Sequence, residues 1–147
     1  MVINQGIDIV ENERVERIMS LYKTKFLKKI FSINEINKEQ LNKNISTQKM
    51  IQRYSARFAA KEAASKALGF GISKGIKFVE IEVFSNSNGM PYLKFNGLAY
   101  KRLKMLQKSN KPAKVSISMS HEKKYSIAIV TISEWENNVK KEQVFFK

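Results

Sequence analysis

The chain has 147 residues, with 27 Lys+Arg against 13 Asp+Glu for a formal net charge of +14, one His and no Cys. That length suits one compact domain. The absence of cysteine excludes disulfides and thiolate zinc sites, and a lone imidazole excludes His-rich metal cages. Any metal is therefore expected to be a hard cation held by oxygen. The basic excess points to a polyanionic partner: nucleic acid, an anionic membrane, a phosphorylated cofactor or an acidic protein. No apolar run approaches the roughly 20 residues that span a bilayer, and no signal-peptide pattern opens the chain, so a cytoplasmic protein without a membrane role is expected.

Residues 2–10 alternate as a strand, with Ile3, Ile7 and Ile9 on one face and Asn4, Gly6 and Asp8 on the other. Asp8 is thus expected to point away from the apolar side. Residues 13–31 fit an amphipathic helix with Val15, Ile18, Met19 and Tyr22 inward and Arg14, Arg17, Lys25, Lys28 and Lys29 outward. The stretch 34–52 is polar and poorly periodic, compatible with a short helix and a loop. From Arg53 to Leu68 the helical pattern is strong, and Gly69 is a natural stop because glycine accepts the left-handed cap conformation. At about 100° per residue, Ala56, Ala60, Ala63 and Ala67 fall within a stripe of roughly 60°, on which another backbone can come close. Ser55, Phe58, Glu62 and Lys66 form a separate stripe.

A glycine-rich link, residues 69–75, leads to a strand over 76–84, a turn at Asn86-Ser87-Asn88-Gly89 and a return strand over 90–95, with Pro91 marking an edge or a late start. A basic helix over 97–107 ends before a break at 109–112. Val115, Ile117 and Met119 then alternate with Ser116, Ser118 and Ser120, a strand apolar on one side and hydroxyl-lined on the other. After a turn at His121-Glu122-Lys123-Lys124, residues 125–132 are apolar on both faces, as a central strand requires. Residues 1–133 read as the domain and 134–147 as a C-terminal extension.

Four stretches stand in order: Gly6-Ile7-Asp8-Ile9-Val10-Glu11 with Arg14, Arg57-Phe58-Ala59-Ala60-Lys61-Glu62-Ala63 with Lys66 and Leu68-Gly69-x-Gly71, Asn88-Gly89-x-Pro91, and Ser118-x-Ser120-His121. Together they resemble the holo-[acyl-carrier-protein] synthases, the small-subunit class of 4′-phosphopantetheinyl transferases, over nearly the whole chain. The resemblance implies an α+β fold of the 4′-phosphopantetheinyl transferase type, a small antiparallel sheet packed against a long central helix and forming homotrimers with active sites between subunits. It also implies an enzyme that moves 4′-phosphopantetheine from coenzyme A to a serine of apo-acyl carrier protein, requires Mg²⁺, releases 3′,5′-ADP and supports fatty acid biosynthesis.

Carried onto this sequence, the resemblance makes Asp8 and Glu62 the Mg²⁺ ligands. That ion usually takes only one or two carboxylates, its remaining positions going to water and substrate phosphates. Asp8, Glu62 and Lys66 become the catalytic set: Lys66 supplies an ammonium to the transferring phosphate and the leaving oxygen, and Glu62 is a candidate base for the serine, directly or through a metal-held water. The coenzyme site is expected from Arg53, Arg57, Lys61 and Lys66 as cations facing phosphates, Gly69 and Gly71 as backbone donors, Pro91, the Ser120 hydroxyl and His121. Arg14, Lys25 and Lys29 match the positions that dock the acidic carrier protein. The rival reading, a small basic RNA-binding protein, finds no RNA-binding motif here and leaves an acid on a strand and another on a basic helix unexplained, so no nucleic-acid partner is expected.

Overall fold

A computed structural model describes residues 1–41, 44–69, 71–107 and 112–134. The order is β1 (Val2–Glu11), α1 (Asn12–Ile30), α2 (Ile33–Gln40), α3 (Thr47–Ala67), two 3₁₀ turns (Ile72–Lys74 and Phe78–Glu80), β2 (Ile81–Ser85), β3 (Pro91–Phe95), α4 (Gly97–Leu106), β4 (Ala113–His121) and β5 (Tyr125–Glu134). An antiparallel sheet runs β1-β5-β4, β2 and β3 form a separate hairpin, and α3 lies across β1 and β5. The α+β class and the central place of β5 are as the sequence leads one to expect. The break at 109–112 and the C-terminal extension fall almost wholly outside the described residues. Among the described residues, no helix is long and apolar enough to cross a membrane.

The inward face of β1 is the opposite of the one that hydrophobic alternation indicates. Gly6 and Val10 are buried and Asp8 is half-buried, facing α3, whereas Ile7 and Ile9 are 54% and 61% exposed on the open side of the sheet. The reason is steric. A Cβ at Gly6 would overlap the carbonyl oxygen of Ala63 and lie 2.7 Å from the amide nitrogen of Ala67. Helix and strand backbones touch there because one residue has no side chain and the facing helix offers alanine. Ala59, Ala60, Ala63, Ala64 and Ala67 are all fully buried in that seam, so a helix of low hydrophobicity becomes the core element.

Helix α1 is tied at its start to the β4–β5 turn. The Asn12 side-chain amide donates to the carbonyls of Glu122 (2.8 Å) and Lys123 (3.1 Å), and its oxygen accepts from Ser126 Oγ (2.7 Å). The helix loses regular geometry at Tyr22 (φ −138°, ψ 35°), which turns that ring outward to 60% exposure rather than inward. Val15 and Met19 are buried as the periodicity requires. The polar stretch after α1 is more ordered than its composition implies. Ser32 and Glu35 form a capping box for α2, and α3 begins at Thr47 instead of Arg53, capped by Ser46 Oγ accepting from the Lys49 amide. Strand β2 starts at Ile81, later than the alternation suggests, because residues 78–80 form a 3₁₀ turn.

Substituting Gly6→Ala is expected to destabilise the chain by at least about 1–3 kcal/mol, the usual cost of overpacking, because both clashing groups are backbone. Chemical denaturation checks this, and wild-type stability would show that β1 and α3 can separate without cost.

Candidate active site

Pairing β1 against α3 brings together the three residues expected to do the chemistry. Lys66 Nζ donates to Asp8 Oδ1 at 2.8 Å and to the Ile7 carbonyl at 2.9 Å, joining the end of the helix to the strand. The Asp8 side chain is largely sheltered while half of Lys66 remains open to solvent, so the ammonium retains donors for a ligand. Glu62 stands one helical turn before Lys66. Partial burial pushes its carboxyl above the usual range, and the Asp8 charge adds to this; Lys66 and Arg14 oppose both. A half-buried carboxylate repelled by a second one is an arrangement that a bound cation relieves. Two oxygen donors of this kind fit the few protein ligands that Mg²⁺ takes. Among the described residues no cluster of three or more His, Cys, Asp and Glu could hold a metal alone.

Glu62 also lines a groove of about 510 Å³ whose floor is apolar, from Ile18, Phe26, Phe58 and Phe78, and whose edge carries Lys25 and Lys29. Arg14, Lys25 and Lys29 are all exposed on α1, and two of these three expected docking cations border the groove that Glu62 lines.

Other expected site residues have different employment. Lys61 has no exposed surface. Its ammonium donates to Glu35 Oε2 (2.7 Å) and to the carbonyls of Phe78 (3.0 Å) and Ile81 (2.6 Å), while burial lowers its pKa against the pull of Glu35. Arg57, 8% exposed, donates to Glu39 Oε2 at 2.6 Å. Neither is free to meet a coenzyme phosphate; both hold α2 to α3. Arg53 is half-buried and its Nε lies 2.8 Å from Glu39 Oε1, but at an angle that makes no directed hydrogen bond, leaving that buried oxygen without a donor. Gly69 and Gly71 both take positive φ (78° and 64°), yet their amides donate to the carbonyls of Lys66 and Ser65 and close the end of α3. These donors are not turned toward a phosphate.

Glu35 and Glu39, the acids that claim these cations, are functional in the structural sense and were not anticipated. The signal lies in the spacing: four residues apart on α2, they mirror Arg57 and Lys61, four apart on α3. Pro91, Ser120 and His121 do not join the acids within one chain. Pro91 opens β3 opposite Ser85. Ser120 is exposed on the open sheet face, opposite Ile127, itself opposite Ile9, and exposed His121 ends β4 opposite Ser126. They lie two strands away from β1.

The family model described as the 4′-phosphopantetheinyl transferase superfamily matches residues 5–130. The holo-[acyl-carrier-protein] synthase of Wigglesworthia glossinidia brevipalpis is 41% identical over 138 residues, covering 94% of this chain and 96% of the relative. That of Buchnera aphidicola subsp. Schizaphis graminum is 42% identical over 135 residues, covering 90% and 98%. The chain belongs to the holo-[acyl-carrier-protein] synthase family. Holo-[acyl-carrier-protein] synthases are phosphopantetheinyl transferases, and the chain is an enzyme of that class. Among solved members, the Bacillus anthracis synthase in complex with CoA (3′,5′-ADP) superposes with a TM-score of 0.72 at 32% identity, covering 92% of this chain and 99% of that one. The Helicobacter pylori synthase in complex with coenzyme A gives 0.68, also at 32% identity, covering 88% and 99%.

Because burial and Asp8 raise the Glu62 pKa in the folded state, ionised Glu62 costs stability above that pKa, and the cost fades as pH falls through it. Glu62→Gln is therefore expected to raise the melting temperature of the metal-free chain at neutral pH by up to a few degrees, with the gain shrinking toward acid pH. A lowered melting temperature at neutral pH would show that the carboxylate is not under strain.

Proposed function

We propose that the chain transfers 4′-phosphopantetheine from coenzyme A to a serine of apo-acyl carrier protein, with Asp8 and Glu62 as the residues that would hold Mg²⁺, and releases 3′,5′-ADP. The observation that carries this reading is the junction of Asp8, Glu62 and Lys66, three groups from two distant segments, with Glu62 also lining the groove. When bound, Mg²⁺ supplies positive charge that offsets the donor's diphosphate. Lys66, held by Asp8 and the Ile7 carbonyl, faces the same diphosphate and gives a proton to the departing phosphate oxygen as the phosphorus–oxygen bond to 3′,5′-ADP breaks. The serine oxygen forms the new bond to the phosphorus of the pantetheine arm, and its proton passes to Glu62 directly or through a water.

Lys25 and Lys29 at the groove edge, with Arg14 nearby on α1, dock the acidic carrier so that its serine arrives beside Glu62. The groove takes the arm at the point where donor and acceptor meet. A homotrimer completes the site. Exposed Ile7, Ile9 and Ile127 on the open sheet face support it, as does the separation of Ser120 and His121 from the acids of their own chain, which a neighbouring subunit overcomes. The sheet face would bury its isoleucines at the same contact.

Mass spectrometry of apo-acyl carrier protein incubated with the chain and coenzyme A tests the proposal. The expected result is a gain of one phosphopantetheine per carrier that requires Mg²⁺. Glu62→Gln is expected to fall to background, and Ile9→Asp to lose transfer together with the trimer observed by sedimentation. Transfer retained by Glu62→Gln in saturating Mg²⁺ rejects the role of the carboxylate.

A further inference from the structure

We propose that Lys61 is a positioning residue for the transfer: from beneath the groove, its buried ammonium fixes the aromatic wall along which the pantetheine arm lies. The inference rests on the reading that the groove receives that arm. Helices α1 and α3 carry their own hydrogen-bond ladders. Phe78, by contrast, comes from a three-residue 3₁₀ turn, a short element with little internal support. Glu80 ties the far end of the turn to Lys77, Asn96 and Leu98, and Lys61 is what ties it to α3, donating to the Phe78 carbonyl at one end and to the Ile81 carbonyl just past the other.

The rings follow from that anchor. Phe78 packs on Phe58 with centroids 5.4 Å apart, Phe58 on Phe26 at 6.2 Å, and Phe26 meets Phe31 edge-on at 6.2 Å. Lys61 Nζ sits 5.1 Å from the Phe31 centroid, so one charge contacts both ends of the series. Phe58 stands one helical turn before Glu62, which places the ring series against the reacting end of the groove. Lys61 also ties α2 to α3 through Glu35, a task that does not by itself call for a charge. Replacing a buried ion pair with apolar residues of similar volume is often neutral or stabilising. An apolar side chain cannot, however, donate to two carbonyls and hold the turn in register. The arm, a chain of amides and methyl-bearing carbons, gains its orientation from such a wall and not from the phosphate contacts at its other end.

The test compares Phe78→Ala, which removes a half-buried ring from the wall, with the double variant Lys61→Met, Glu35→Gln, which removes the anchor and both buried charges while leaving a carbonyl oxygen at position 35 to accept from the Val83 amide. Steady-state transfer gives KM for coenzyme A, and calorimetry gives the affinity for 3′,5′-ADP, which carries no arm. Both variants are expected to raise KM by about tenfold or more, since small misplacements of a reactant are costly, while binding 3′,5′-ADP like the wild type. A wild-type KM in either variant overturns the proposal, as does equal loss of KM and 3′,5′-ADP affinity. A double variant that cannot fold also overturns it, because Lys61 would then serve stability and not the wall. Absence of transfer by the wild-type chain would instead sink the proposed function and leave the two outcomes distinct.

Discussion

The contact on which the rest depends is backbone against backbone, where Gly6 of β1 meets Ala63 and Ala67 of α3. No side chain separates the two elements at that point, so the carboxylate two residues along the strand falls within hydrogen-bonding reach of Lys66. Glu62 and Lys66 are then neighbours by helical geometry alone. A bulkier residue at position 6 or on the alanine seam would move strand from helix and pull the acids apart. The poor hydrophobicity of α3 is therefore the condition for the site: alanine allows the close approach that larger apolar residues would prevent.

The chain's strong positive charge is unevenly used. Arg57 and Lys61 are sealed against Glu39 and Glu35, and Glu82, also buried, accepts hydrogen bonds from Ser32, Asn34 and Asn96. Burial pushes Glu82 upward, but those donors and Lys94 outweigh it and hold its pKa below the ordinary value. These interior groups fasten α2, α3 and the β2–β3 hairpin together, and in doing so define one side of the groove. Exposed Arg14, Lys25 and Lys29 on α1 are a different population, open to solvent on the outside of the fold. Counting lysines cannot separate the two, because the distinction is made by which acids the fold brings within reach.

Much of this was legible in the sequence. Asp8 on a strand, Glu62 and Lys66 one turn apart on a small-residue helix, the stop at Gly69 and the two-sided apolar character of β5 follow from local periodicity and turn chemistry. The face of β1 was misread because Ile7 and Ile9 make a strong pattern, whereas the decisive residue, Gly6, contributes only the space it leaves. The start of α3 was missed because its first turn is polar and is marked only by the Ser46 cap. Arg57 and Lys61 look like solvated cations until Glu35 and Glu39 are set opposite them, a pairing of tertiary origin. Ser120 and His121 lie apart from the acids because β5 stands between β4 and β1, a strand order that no local pattern encodes.

The central claim is that Asp8 and Glu62, joined by the contact at Gly6, hold a divalent cation. A crystal of the chain grown with Mn²⁺ in place of Mg²⁺ and measured for anomalous scattering tests it most directly. The account predicts a single strong peak shared by the two carboxylates; a peak elsewhere with none between them would contradict it.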